Sequence, residues 1–132
     1  MDIQNRDLKY CSDKLIEIVI GCAIEVHKEL GPGLLESAYE LALLHELTLT
    51  DIQVRRQSEI PIKYKGTELG AGFRADLIVN DSLLLELKAV DEIKNIHRAQ
   101  IITYLKLLNF KRGLLLNFNT VLLKDGIKRI SI

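Results

Sequence analysis

The sequence predicts an α/β domain in which helices flank a mixed β-sheet. An apolar helical pattern opens the chain, strand-like runs fill its middle, and a strand, a helix and a strand close it. Hairpins pair strands antiparallel, whereas a strand–helix–strand unit pairs them in parallel with a right-handed crossover. We therefore expect an antiparallel meander followed by one parallel β-α-β crossover. With no repeat or linker, the 132 residues should form a single domain over residues 1–132.

Two helices are expected before the sheet. Ser12 can cap the first, which should run to about Leu30 and end at the Gly-Pro-Gly of residues 31–33. Its polar residues form a single narrow stripe, so this helix should be buried on more than one side, partly by a second copy of the chain. The sequence thus favours a homodimer. A second helix should run from Leu34 to about Leu49.

The first strands should form the meander. Alternation over residues 60–64 predicts a strand, and Pro61 within it indicates an edge position. Lys65-Gly66 should turn the chain back, with Gly70 and Gly72 allowing a bend or bulge. The later elements follow from their apolar runs and periodicity: strand Arg74–Val79, turn Asn80–Ser82, strand Leu83–Val90, helix Ile96–Leu108, strand Gly113–Phe118 and closing strand Gly126–Ile132.

Charged residues inside two apolar strands are the main functional signal. The run Leu83–Val90 is apolar apart from Glu86 and Lys88, which is typical of a covered strand where charge is costly. A three-residue turn would place Val79 opposite Leu83, and hence Asp76 opposite Glu86 and Arg74 opposite Lys88. On the second strand, two sets should then face opposite sides of the sheet: Phe73, Ala75, Leu77 and Val79 on one, and Arg74, Asp76 and Ile78 on the other.

Two carboxylates in such proximity can hold one hard cation such as Mg²⁺ or Mn²⁺. The functional interpretation is a phosphodiesterase site in which Asp76, Glu86 and the backbone carbonyl of Leu87 bind the metal. Lys88 would place or deprotonate the attacking water and stabilise charge on the phosphate. The competing interpretation is an ordinary ion pair within a strand whose face is wetter than its composition indicates.

The composition restricts the partners and the environment that can be expected for this chain. Eighteen basic and eighteen acidic residues cancel, so any contact with nucleic acid must come from a local patch. Cys11 and Cys22 are too few for a disulfide scaffold or a four-cysteine cluster, which favours a reducing cytoplasm. The N-terminal segment has acids and no signal-peptide pattern. No apolar run reaches the roughly 18 residues that span a bilayer, so no membrane partner is expected.

The strand motif resembles that of the PD-(D/E)xK nuclease superfamily, which shares the restriction-endonuclease-like fold. Asp76 and the Glu86-Leu87-Lys88 triplet stand in its signature positions, although Ala75 precedes Asp76 where the superfamily name has proline. A more specific resemblance is to the small bacterial and archaeal GxxExxY family, whose named positions are occupied by Gly33, Glu36 and Tyr39. Four further stretches are similar to that family: residues 74–79, 86–90, 115–119 and 123–129.

The resemblance implies roles for residues outside the strands. Glu36 would approach the metal, through water or by orienting Lys88, and Tyr39 would contact the same site or a phosphate. Gln100 and Tyr104 lie four apart on one helix face and resemble the Q-x-x-x-Y motif of the RecB-like and Cas4-like branch. There the glutamine helps to set the site and the tyrosine meets nucleic acid. The plain alternatives are a solvent-facing Glu36 and a Tyr104 that packs on the sheet.

The remaining polar residues are less informative. Arg74 and Arg98 are the basic residues expected nearest the site, as substrate contacts, whereas most of the other lysines and arginines are expected to be solvated. His27 is expected to be structural or to support the neighbourhood of Glu36. His45 should lie on the surface, and His97 should lie near the start of its helix.

Taken with the resemblance, the sequence predicts a Mg²⁺- or Mn²⁺-dependent nuclease that hydrolyses phosphodiester bonds of nucleic acid, with DNA favoured over RNA. Two alternatives remain at this stage. The first is a catalytically silent nucleic-acid-binding or regulatory module on the same fold. The second is a hydrolase of a small phosphoester, for which a site too narrow for a nucleic-acid strand would be expected.

Overall fold

The computed structural model describes residues 11–132, where three α-helices lie against a five-stranded β-sheet. The N-terminal segment, residues 1–10, in which the sequence predicts no signal peptide, lies outside the described residues. None of the helices in residues 11–132 combines the length and apolarity needed to cross a membrane. The elements are α1 Asp13–Leu30, α2 Glu36–Thr48, β1 Val54–Tyr64, β2 Thr67–Val79, β3 Leu83–Lys88, α3 Asn95–Leu108, β4 Arg112–Asn117, a 3-10 turn Leu123–Gly126, and β5 Ile127–Ser131.

The sheet has the strand order β1-β2-β3-β4-β5. Strands β1, β2 and β3 form an antiparallel meander, β3 and β4 pair in parallel across α3, and β5 returns antiparallel to β4. This topology confirms the predicted mixed sheet with one β-α-β crossover. Because β3 and β4 run in parallel, the ends of both strands lie at the same edge of the sheet, next to the start of β5.

Local sequence signals account for the ends of most elements. The Ser12 hydroxyl accepts a hydrogen bond from Leu15 N at 3.1 Å, as expected of an N-cap. Lys65 and Gly66 both have positive φ, 49° and 83°, which suits the two-residue hairpin between β1 and β2. Asn80 and Asp81 also adopt left-handed conformations, at 52° and 49°, in the turn before β3.

Strand β1 lies at one edge of the sheet, as Pro61 predicts. The register between β1 and β2 shifts on both sides of Pro61, which confirms the predicted irregularity near Gly70 and Gly72. A side chain at position 72 would overlap Ile62, and Gly70 has a φ of 86°. Glycine is therefore favoured at both positions where the hairpin bends.

Two apolar clusters sandwich the sheet. One packs α1 and α2 against side chains that include Leu77, Val79 and Leu85, and the other packs α3 against Ala75, Ile78 and Leu84. Ala75 and Leu77 therefore face opposite sides, although residues two apart on a regular strand share a side. The prediction that Phe73 and Ala75 face with Leu77 and Val79 is wrong: β2 loses its alternation at Asp76, opposite the left-handed Gln57 of β1, at φ 51°.

The predicted register of β2 and β3 is confirmed from Val79↔Leu83 to Leu77↔Leu85, where the pairing ends. The prediction that Arg74 lies opposite Lys88 is wrong, because the strands are no longer paired at that level. Arg74 instead lies opposite Glu59 of β1 and forms an exposed ion pair with it at 3.8 Å.

Both cysteines are free and buried, in agreement with the absence of a disulfide scaffold. Burial raises the pKa of each thiol, so both are protonated and unreactive near neutral pH. On α1, buried residues alternate with the half-buried Ile18 and Ile20 and the exposed Ile24. The homodimer suggested by this apolar helix stays a prediction.

Two glycine substitutions should separate close packing from helix propensity. A Cβ at Gly126 would overlap the backbone carbonyl of Asn117, whereas Gly21 on α1 has open space around it. Gly126→Ala should lower the free energy of unfolding by about 1–3 kcal/mol. Gly21→Ala should raise it by about 0.5–1 kcal/mol, because alanine loses less backbone freedom in a helix. Urea denaturation of both variants tests this, and changes of the same sign would contradict it.

Candidate active site

Asp76 and Glu86 meet where β2 and β3 separate. The backbone N–H of Asp76 donates to Glu86 Oε2 at 2.9 Å, and the backbone N–H of Leu87 donates to Asp76 Oδ2 at 2.9 Å. Each carboxylate thus accepts a hydrogen bond from the opposite strand, just beyond the last paired residues, Leu77 and Leu85. The predicted approach of the two acids therefore occurs through a reciprocal pair of side chain–backbone contacts.

The environment of Asp76 and Glu86 disfavours the charged form of both carboxyl groups. Burial, reinforced by the charge of Asp76, raises the pKa of Glu86 to about 8. Burial also raises the pKa of Asp76, although the Leu87 N–H and the charge of Lys88 oppose this shift. Glu86 therefore holds a proton at neutral pH unless a further cation compensates its charge.

Lys88 and Glu36 lie at the end of β3. The half-buried Lys88 is close enough to lower the pKa of both Asp76 and Glu86. Glu36, the first residue of α2, accepts a hydrogen bond from the backbone N–H of Ala89 at 3.2 Å, and its charge raises the pKa of Asp76. The structure therefore brings Glu36 to the backbone just after Lys88 and within electrostatic range of Asp76.

Glu40 is a buried acid of the site that the sequence did not single out. Its carboxylate is 5% exposed and accepts a hydrogen bond from Gln57 Nε2 at 2.8 Å. The same amide lies 3.4 Å from Asp76 Oδ1, so Gln57 bridges the two carboxylates. Burial, followed by the charge of Asp76, raises the pKa of Glu40 against the effect of that hydrogen bond. Its position four residues after Glu36, on the same helix face, was the available signal.

Arg56 compensates Glu40 from the solvent side. Its Nε lies 2.6 Å from Glu40 Oε2, and the positive charge of Arg56 together with this contact lowers the pKa of Glu40 against the effect of burial. Glu40 is thus paired with a cation on one side and with the Gln57 amide on the other. Sequence reasoning placed Arg56 among solvated charges, because nothing in the pattern of β1 indicates an acid from α2 above it.

Gln100 and Tyr104 lie together on α3, as their spacing predicts. They form a side-chain hydrogen bond that lowers the pKa of Tyr104 against the larger effect of burial, and the charges of Glu86 and Asp76 raise it. The Tyr104 ring stacks on Phe73 with an interplanar angle of 16°. The hydroxyl end of Tyr104 is therefore within electrostatic range of both strand acids, while its ring packs on the sheet.

Tyr39 does not belong to the site, and its predicted contact with substrate is wrong. The side chain is fully buried and stacks on Phe118, with 4.5 Å between the ring centroids. Its hydroxyl donates to the Gly31 carbonyl and accepts from Leu34 N at 3.1 Å, so it has no free donor. The tyrosine of the G-x-x-E-x-x-Y stretch instead fixes the loop that joins α1 to α2.

Within residues 11–132, no hydrogen bond or ion pair joins Arg74, Arg98 or the histidines to Asp76 or Glu86. Arg74 is exposed and paired with Glu59, and Arg98 lines a groove beside β5. His27 is buried and its Nε2 donates to the Thr120 carbonyl at 2.8 Å, which confirms a structural role. The other two histidines lie as predicted: His45 is exposed, and His97 accepts from Lys94 N at the start of α3.

The donor set fits a hard divalent cation. Within residues 11–132, no three His, Cys, Asp or Glu side chains are arranged to hold an ion among themselves. Two carboxylates nevertheless lie near enough for the charge of Asp76 to raise the pKa of Glu86, in a buried place where a positive charge would lower both of their pKa values. Oxygen ligands supplied by two carboxylates, a backbone carbonyl and water are what Mg²⁺ and Mn²⁺ prefer.

A family model described as the PD-(D/E)XK nuclease superfamily matches residues 13–130, which is nearly all of the chain. The observed mixed sheet with its flanking helices agrees with the restriction-endonuclease-like fold of that superfamily. Comparison with curated proteins and with solved structures gave no match. The narrower resemblance to the GxxExxY family stays a prediction.

The stability of the metal-free protein should depend on pH through Glu86. The pKa of about 8 in the folded state lies above the value of about 4.3 expected in the unfolded chain. The folded state therefore binds more protons, and stability present at low pH is lost as the pH rises through 8. Urea denaturation in EDTA should show that Glu86→Gln flattens the fall in unfolding free energy between about pH 5 and pH 8.

Glu17→Gln, an exposed acid on α1, is the matched control and should follow the wild type. Parallel pH profiles for the wild type and Glu86→Gln would show that Glu86 titrates normally and is not buried as described.

Gln57 offers a second test, because a non-glycine residue at φ 51° is strained by about 1–2 kcal/mol. Gln57→Gly and Gln57→Ala both remove the bridging amide, but only glycine relieves the backbone. The glycine variant should be the more stable of the two by about 1 kcal/mol in urea denaturation. At Arg55, two residues earlier in β1 and without positive φ, the order should reverse. An alanine variant that is the more stable at position 57 would contradict the left-handed conformation.

Proposed function

Because the chain belongs to the PD-(D/E)XK nuclease superfamily, we propose that it is a Mg²⁺- or Mn²⁺-dependent nuclease that hydrolyses phosphodiester bonds of nucleic acid, with DNA as the expected substrate. One observation carries this proposal. Glu86 accepts a hydrogen bond from the backbone N–H of Asp76, and Asp76 accepts one from the backbone N–H of Leu87, in a buried gap between two strands with Lys88 nearby. A pair of acids with raised pKa values and a neighbouring lysine is costly for a structural role and suits a metal-assisted hydrolase.

In this proposal the ligands of the cation are Asp76, Glu86 and the backbone carbonyl of Leu87, with Glu36 contributing through water. Such a cation supplies Lewis-acid polarisation of the phosphate and a more acidic water molecule. Glu40 and Gln57 act on Asp76: the Gln57 amide bonded to Glu40 also lies beside Asp76 Oδ1 and orients that carboxylate. Arg56 offsets the charge of Glu40, so the added acid does not increase the negative charge of the site as a whole.

Lys88 has two tasks in the proposed reaction. Its ammonium stabilises negative charge that develops on the phosphate, and it positions the attacking water. The hydrogen bond from Ala89 N to Glu36 holds the end of β3, which fixes the backbone from which Lys88 extends. Gln100 sets the orientation of the Tyr104 hydroxyl, and this hydroxyl and the exposed Arg74 are proposed to contact the substrate.

Loss of Asp76 or Lys88 should abolish cleavage without unfolding the protein. We expect Asp76→Ala and Lys88→Ala each to lower the rate by at least on the order of 10²–10³-fold. The measurement is incubation of the wild type and both variants with labelled single- and double-stranded DNA and RNA, with Mn²⁺ or with EDTA. Lys106→Ala, an exposed lysine on α3, is the control and should cleave as the wild type does.

Metal binding can be followed separately from cleavage. Mn²⁺ should raise the thermal midpoint of the wild type and of Lys88→Ala, but not that of Asp76→Ala.

Activity that survives in both Asp76→Ala and Lys88→Ala would overturn the assignment. Binding of DNA that is equal with Mn²⁺ and with EDTA, and without cleavage, would identify a silent binding module. Cleavage of small phosphoesters that DNA does not inhibit would identify the other alternative.

A further inference from the structure

A basic groove follows the outer edge of β5, apart from the acidic gap between β2 and β3. It has a volume of about 420 Å³, and four cationic side chains line it: Arg98 from α3, Lys124 from the 3-10 turn, and Lys128 and Arg129 from β5. Ile20 and Ile24 of α1 form its apolar wall. We refer to this feature, defined by these six residues, as the edge groove.

The charges of the edge groove are not neutralised by the part of the chain that the structure describes. None of the four cations forms an ion pair within residues 11–132, and none of the residues that line the groove there is acidic. The sequence as a whole carries no net charge. A local excess of four positive charges on a neutral chain creates an attractive field for an anion at this place.

The sheet register connects the edge groove to the candidate active site. Glu86 on β3 is paired with Leu115 on β4, and Leu115 is paired with Lys128 on β5. Paired residues of neighbouring strands lie on the same face, and Leu115 belongs to the cluster packed against α3. Lys128 is thus two strands from Glu86 in one row, or about 10 Å at 4.7–4.9 Å per strand.

We propose that the edge groove binds backbone phosphates of the nucleic-acid substrate, on the β5 side of the scissile bond. The proposal rests on the function proposed above, since it takes the anion to be the same polymer that is cleaved. A separation of about 10 Å corresponds to about three nucleotides of rise in duplex DNA. Because Leu115 between the two places is buried under α3, a strand that contacts both would pass around this helix, with one phosphate near Glu86 and Lys88 and further phosphates beside Lys128 and Arg98.

The charges also argue against a second copy of the chain as the occupant of the edge groove. An exposed edge strand invites pairing with another strand, but lysines and arginines along it oppose such pairing. A symmetric contact would bring two sets of four unpaired cations together, and like charges at an interface are costly. A polyanion gains from the same arrangement, because each phosphate contact releases bound counterions.

The test compares two charge-matched double variants. Lys124→Gln/Arg129→Gln removes two exposed cations of the edge groove, and Lys14→Gln/Lys111→Gln removes two exposed cations at the opposite end of the sheet. Affinity for a labelled 20-nucleotide DNA, single-stranded and duplex, is measured by fluorescence anisotropy in EDTA at several salt concentrations. The groove variant should reduce the slope of log Kd against log salt by about 2 for duplex DNA, and the control should leave it unchanged.

Each outcome decides one question. Equal slopes for the wild type and the groove variant would overturn the proposal, even if the wild type cleaves DNA with Mn²⁺. A reduced slope without any cleavage by the wild type would support the edge groove and overturn the nuclease function. A loss of affinity for poly-glutamate as large as that for DNA would show a general acidic-polymer site and also overturn the proposal. Folding of the variants is checked by their thermal midpoints, which should match that of the wild type.

Discussion

The burial of Asp76 and Glu86 beside each other is the constraint on which the arrangement of this site depends. Two carboxyl groups removed from water must be protonated, paired or hydrogen-bonded, and their proximity adds repulsion. The β2–β3 ladder ends at Leu77 and Leu85, which leaves backbone donors available for the two carboxylates. Beyond this point the backbone N–H groups of Asp76 and Leu87 donate to the carboxylates instead. A continuous ladder would consume such donors, so the gap in the sheet and the acidic pair are one feature.

The sequence predicts the frame of the site because the frame depends on local signals. The turn residues Asn80 and Asp81 tolerate left-handed backbone, which sets the hairpin and its register up to Leu77↔Leu85. The side of the sheet on which each β2 side chain lies was not predictable from such local signals. Period-two reasoning assumes a regular pleat, and Gln57, a residue without a preference for φ 51°, interrupts that pleat opposite Asp76. The sequence of β1 contains no pattern that predicts this interruption.

Helix α2 shows a second limit of sequence reasoning. Glu36, Tyr39 and Glu40 share one helix face. Their spacing therefore does not distinguish which of them lies at the candidate active site. In the structure the three side chains have different partners. Tyr39 stacks on Phe118 in the core, Glu40 bonds with Gln57, and Glu36 bonds with the backbone after β3. These different partners depend on the position of α2 on the sheet. Bulky side chains that pack against the helix, such as Phe118, determine that position. Such contacts are long-range and cannot be read from helix periodicity.

The zero net charge of the chain conceals a strong separation of charge within one sheet. Acids from α2, β2 and β3 gather at the β2–β3 gap. Cations that have no ion pair within residues 11–132 gather along β5, and the apolar Leu115 lies between Glu86 and Lys128. A phosphate is therefore attracted to the β5 side and repelled by the gap, unless a divalent cation offsets the carboxylates there. On this basis a nucleic-acid strand would be held at the basic edge first and would enter the acidic gap only with metal. Substrate binding and metal binding at the two ends of this row should then favour each other.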